Sequence, residues 1–160
     1  MNNGWRAKPL HWLVFLMLWV PNGHANQDDT FPMFQDSRLL KPNKVLVLLA
    51  EVENCSFCKR VKEDFLFPLT MDPNLEPLFQ VRRIDLNSQQ LLTDFSAQRI
   101  SQQDLAQVLF ADFSPTLIFL NPRSGERIGE DIVGLVTPDF YGFYLQQQIV
   151  QSHELLTGQL

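Results

Sequence analysis

The sequence predicts an α/β fold, a central mixed sheet with helices on both faces, and three observations lead there. Residues 44–51 form an unbroken apolar run rich in Val and Leu, the pattern of a strand covered on both faces. From Cys55 the period lengthens: Phe57, Val61 and Phe65 recur every four residues, while Lys59, Arg60, Lys62, Glu63 and Asp64 fill the other face, as in an amphipathic helix. Residues 79–86 return to a strand pattern with Val81 and Ile84 inward. A strand, helix, strand order of this kind is a right-handed parallel crossover.

The remaining elements follow in order. Pro68, with no backbone N–H, is expected to end the first helix, and Asp72-Pro73 opens a short helical turn reaching Leu78. Ser101-Gln102-Gln103-Asp104 has the form of a capping box with Asp in place of Glu. A second helix therefore starts near Gln102, with Leu105, Val108 and Leu109 at helical spacing. Ser114-Pro115 leads into a strand at 116–120, residues 121–126 with Pro122 and Gly125 form a hairpin loop, and residues 127–135 return antiparallel. Thr137 is placed as the cap of the last helix, Pro138 in its first turn, and Phe140, Phe143, Tyr144 and Ile149 on its buried face.

Residues 1–25 read as an export signal. Arg6 and Lys8 form a positive start, residues 10–20 are apolar except for His11, and Pro21, Asn22 and Gly23 lead to a small-residue end at Ala25. The apolar run is shorter than the roughly 20 residues that span a bilayer. With no endoplasmic-reticulum retention signal in Thr157-Gly158-Gln159-Leu160, the expected location is a bacterial periplasm. Removing Arg6 and Lys8 takes the 13 basic residues to 11 against 18 acidic ones, a net charge of −7. That balance argues against nucleic acid as a partner. Residues 26–42 read as a polar N-terminal extension, 43–152 as one domain and 153–160 as a C-terminal tail.

The only two cysteines of the chain, Cys55 and Cys58, stand between the first strand and the first helix. Two thiols so spaced and so placed read as a redox pair. A helix opening at Cys55 aims unpaired N–H groups and the positive end of its dipole at the sulfur, which favours the thiolate, the form that attacks disulfides. Cys58, one turn further in, can then release a mixed disulfide by closing an intramolecular one. Half of a zinc site would need two more soft ligands, and His153 is the only histidine beyond residue 25. A purely structural bridge between such near neighbours would restrict the unfolded chain little. No metal, nucleotide or flavin site is expected, because there is no phosphate-binding glycine loop and there are too few metal ligands. The cysteines themselves are the redox group.

Together with Ser114-Pro115-Thr116 at the head of a strand, the glycine hairpin and Val133-Gly134 before the last helix, this pattern resembles the thioredoxin-like family over residues 43–152. It is most similar to the exported members with an aromatic residue in the CxxC, including those that accompany periplasmic sulfur oxidation and protein-disulfide reduction. Residues 87–100 are longer than a minimal thioredoxin would have there, as in that group. The resemblance implies that Cys55 attacks, that Cys58 resolves, and that the two form the disulfide. It also implies that Pro115 is a cis proline beside the thiols, with Ser114 and Thr116 completing a platform that pairs with the main chain of an extended substrate. A trans turn proline opening an edge strand is the plainer reading of Pro115.

Departures from the family are equally informative. Asn54 replaces the usual tryptophan, Phe57 a proline, and Leu49 the buried aspartate, so another base must serve Cys58. Glu51 is the candidate proton acceptor, followed by Glu53. The implied function is a periplasmic thiol:disulfide oxidoreductase, a reductase of protein or small-molecule disulfides, acting as a monomer recharged by a membrane or periplasmic electron donor. One alternative is a noncatalytic binding module with an aromatic surface, suggested by the 13 phenylalanines. Within the enzyme class the alternatives are an isomerase or an oxidase. Isomerases generally need a dimerisation region, for which this chain has no room.

Overall fold

A computed structural model describes residues 1–2 and 30–158, so the expected export signal at 1–25 lies, but for its first two residues, outside the described residues. The strands are β1 (Val45–Glu51), β2 (Phe79–Asp85), β3 (Leu91–Thr93), β4 (Arg99–Ser101), β5 (Thr116–Leu120) and β6 (Ile132–Val133). The helices are α1 (Ser56–Arg60), α2 (Phe67–Met71), α3 (Gln102–Val108) and α4 (Pro138–Thr157). Four strands form one mixed sheet in the order β2-β1-β5-β6, with β1 parallel to β2 and antiparallel to β5, and β5 antiparallel to β6.

All seven residues of β1 are buried, which its unbroken apolar run required. Alternation along the strand divides them between two cores. Val45, Val47 and Leu49 pack with Val61, Leu66, Tyr141, Leu145 and Ile149 under α1, α2 and α4. Leu46, Leu48 and Ala50 pack with Leu105, Ala106 and Leu109 of the α3 side. Each Val or Leu so enclosed contributes about 1.5–3 kcal/mol of transfer free energy. Helices therefore cover both faces, and the central position of β1 fixes where its C-terminal end, and the cysteines beyond it, must lie.

The structure differs from the sequence expectation in four places. The first helix does not stop at Pro68: α1 runs into a π segment at Val61–Leu66 and on through α2, which has the proline in its first turn. The Phe67 N–H reaches back five residues to the Lys62 carbonyl, and this widened turn admits a residue that lacks its own N–H. Residues 87–100, to which the sequence assigned no element, carry most of a hairpin in which β3 pairs with β4 and the turn is held by Asp94, which accepts N–H bonds from Ser96 and Gln98. The return at 127–135 touches β5 at Arg127, leaves it, and re-forms only the two residues of β6. Arg127 pairs with Asp131 four residues on, across the stretch that leaves the ladder.

The last helix is the fourth difference. Its buried stripe is Tyr141, Leu145, Ile149 and Ser152, whereas Phe140, Phe143 and Tyr144 are exposed. Tyr141 packs its ring on Phe65, with centroids 4.7 Å apart. Small Ser152 leaves room for Gly129, where a Cβ would sit 2.3 Å from the serine hydroxyl. Close approach rather than ring size thus sets the face. Thr137 occupies the cap position but makes no side-chain capping bond and has a left-handed backbone at φ 48°.

The N-terminal stretch covers the outer edge of β2. Phe34 N–H donates to the Arg83 carbonyl and Arg83 N–H to the Pro32 carbonyl, while Phe31 and Phe34 enter opposite cores. This closes an edge that would otherwise offer unpaired N–H and C=O groups.

Candidate functional site

β1 ends at Glu51, and the chain reverses through Asn54, whose φ of 59° is tolerated because asparagine visits the left-handed region. The turn delivers Cys55 to the cap position of α1 with extended backbone. Its Sγ accepts the Cys58 N–H at 3.1 Å, the role an oxygen plays in ordinary helix caps. Cys55 and Cys58 are joined in a disulfide. Cys55 is half-buried while Cys58 is only 1% exposed, so the first sulfur faces outward and the second lies behind it. Phe57 between them is exposed, and Lys59 is on the surface paired with Glu63 at 3.8 Å.

Facing the disulfide is the loop between α3 and β5. The Ser114–Pro115 peptide bond is cis. Ser114 Oγ lies 3.0 Å from Cys58 Sγ and 3.5 Å from Cys55 Sγ, and it accepts the Val52 N–H at 3.2 Å. The Pro115 carbonyl accepts the Gly134 N–H at 2.7 Å, which fastens the loop to the end of β6. Thr116 is buried in the sheet, and its hydroxyl donates to the Phe113 carbonyl at 2.8 Å. Of the three residues named for a substrate platform, Ser114 and Pro115 therefore lie at the sulfurs' side of the sheet, whereas Thr116 braces the loop from within. Phe113, next to Ser114, is exposed like Phe57.

The carboxylate of Glu51 is buried and engaged on both oxygens. Arg83 Nη1 donates to Oε1 at 2.6 Å, and Lys62 Nζ lies 3.0 Å from Oε2. Glu53 is exposed. Lys62, expected on the solvated face of the first helix, is 1% exposed, and Arg83 also donates to the Phe31 carbonyl at 2.5 Å. A cluster of charges thus ties together the end of β1, the π segment behind Cys58, β2 and the N-terminal stretch. Sequence reading missed Lys62 and Arg83 as partners, and it missed the Ser114 side chain at the sulfurs. A lysine among charged neighbours carries no signal of burial, but a hydroxyl immediately before Pro115 did. Among the described residues, no group of three or more His, Cys, Asp or Glu side chains is placed to hold a metal ion.

No family model matches the chain, and no curated protein matches it in sequence. Solved structures do match. A thioredoxin-fold protein from Helicobacter pylori aligns over 82% of this chain and 92% of its own, with a TM-score of 0.54 and 18% identity. A wild-type thioredoxin h from poplar covers 64% of this chain and 75% of its own at TM-score 0.43 and 17% identity. A thioredoxin from Nicotiana alata covers 70% and 78% at TM-score 0.42 and 20% identity. The Helicobacter likeness establishes the fold: this chain is a thioredoxin-fold protein, an α/β mixed sheet with helices on both faces.

Proposed function

We propose that the protein is a thiol:disulfide oxidoreductase, and that it works in a bacterial periplasm as a reductase of disulfides in protein or small-molecule substrates. The observation that carries this reading is the arrangement of the pair: an outward sulfur at a helix cap and a buried sulfur behind it, bonded to each other beneath the Ser114–Pro115 loop. In the reduced protein the Cys55 thiolate attacks a substrate disulfide, forming a mixed disulfide and expelling one substrate thiolate. Cys58 then displaces the second thiolate from Cys55, and two electrons have passed from the dithiol to the substrate. The disulfide formed in that step is returned to dithiol by an electron donor protein of the membrane or periplasm. The pattern of residues 1–25 supports export, and Phe57 between the cysteines supports a potential between the extremes of about −270 and −120 mV.

Catalysis of insulin reduction by dithiothreitol tests the chemistry. Wild type accelerates it and Cys55→Ser does not. Export is tested by N-terminal sequencing of the mature protein from periplasm, which should begin at Asn26. A second reading, a noncatalytic binding module, is favoured by the exposed rings of Phe57, Phe110, Phe113, Phe140, Phe143 and Tyr144. Equal and negligible insulin reduction by wild type and Cys55→Ser would decide for it.

A further inference from the structure

Neither sulfur of a disulfide carries a hydrogen, so the 3.0 Å contact between Ser114 Oγ and Cys58 Sγ has one possible donor, the hydroxyl. The hydroxyl is oriented for that task, because the Val52 N–H already donates to its oxygen and directs the O–H elsewhere. The same hydroxyl is within 3.5 Å of Cys55 Sγ, so one side chain reaches both sulfurs. Both carboxylate oxygens of Glu51 are taken by Arg83 and Lys62, and Glu53 is exposed. The two sulfurs also differ in need. Cys55 Sγ already receives a backbone N–H, whereas Cys58 is enclosed, where an anion without a donor is costly.

We propose that the Ser114 hydroxyl is a catalytic group of the resolving step, donating a hydrogen bond to the Cys58 sulfur as it becomes a thiolate. This rests on the oxidoreductase reading. In the mixed disulfide, Cys58 loses its proton to solvent water, and the thiolate attacks Cys55 Sγ. The Cys55–Cys58 bond forms as the bond from Cys55 to the substrate sulfur breaks, and the electron pair leaves on the substrate thiolate, which takes a proton from water. Ser114 transfers no proton in the balance; it holds charge on a buried sulfur during the attack.

The test uses the reduced full-length protein and dithiobisnitrobenzoate in stopped flow. Attack by Cys55 releases one coloured thiolate, and resolution by Cys58 releases a second. Ser114→Ala should slow the second phase at least about tenfold near neutral pH, the effect of about 1.4 kcal/mol, and move its pH midpoint up by about one unit. The first phase should slow clearly less than the second, because the hydroxyl is farther from Cys55 Sγ, at 3.5 Å, and that sulfur keeps the Cys58 N–H. Ser114→Thr and Ser114→Val, alike in shape and different in one hydroxyl, repeat the comparison should alanine disturb the loop; threonine should retain the fast second phase and valine lose it. An unchanged second phase in Ser114→Ala, equal slowing of both phases, or threonine as slow as valine overturns the proposal. A wild type that releases no second equivalent overturns the oxidoreductase reading itself, and the proposal with it.

Discussion

Replacing Glu51 by glutamine removes the anion from a buried cluster while keeping its volume. The carboxylate holds Arg83 at 2.6 Å and Lys62 at 3.0 Å, with both cationic side chains and the glutamate less than a tenth exposed. Removing one partner of a buried ion pair costs about 3–5 kcal/mol. Glutamine still offers one acceptor oxygen, and Lys62 and Arg83 have further partners, so the lower end applies, about 3 kcal/mol. With a urea m-value of about 1.5–2 kcal/mol per molar, the unfolding midpoint should fall by about 1.5–2 M with the slope unchanged. A loss below about 1 kcal/mol would refute the assignment of Glu51 to the ion cluster. The same variant decides whether Glu51 takes the proton of Cys58. With both oxygens occupied, the pH profile of the resolving step should not move, and a shifted profile would restore Glu51 as the proton acceptor.

Two further outcomes follow from the structure. Phe110, 80% exposed, closes α3 in the left-handed region at φ 51°, and Ala111 N–H caps the Ala106 carbonyl, an arrangement that usually employs glycine. Phe110→Gly should stabilise by about 0.5–1 kcal/mol in urea unfolding, the relief of about 1–2 kcal/mol less the extra freedom of unfolded glycine; destabilisation would show that the ring is held by contacts. Asp104 is held below the usual carboxylate range by its hydrogen bonds with Ser101. Because the folded value is the lower one, this stabilisation is present above the unfolded value of about 3.9 and is lost as pH falls through the folded value. The destabilisation caused by Asp104→Ala should therefore shrink between neutral pH and about pH 3, and a constant difference would contradict the cap.

What was legible in the sequence was whatever depends on local pattern. The apolar run of β1, the cysteines at a helix start and the Ser101-Asp104 box each state their structure within a few residues, and the structure contains all three. Features set by distant partners were not legible. Pro68 reads as a stop until the π turn before it is known, and the face of α4 depends on Phe65 and Gly129, 76 and 23 residues from Tyr141 and Ser152. Lys62 is indistinguishable from its solvated neighbours Lys59 and Glu63 until β1 and β2 bring Glu51 and Arg83 behind the helix. Ser114 was read for its backbone, whereas its hydroxyl is what reaches the sulfurs.

The central claim is that Cys55 attacks and Cys58 resolves. It is tested most directly by expressing Cys58→Ser and Cys55→Ser and resolving their adducts under non-reducing conditions after acid quenching and alkylation. Attack survives and release is lost in Cys58→Ser, so that variant should accumulate mixed disulfides that dithiothreitol dissolves, and Cys55→Ser should accumulate none. Adducts on both variants in equal measure, or on neither, would contradict the division of roles between the two sulfurs.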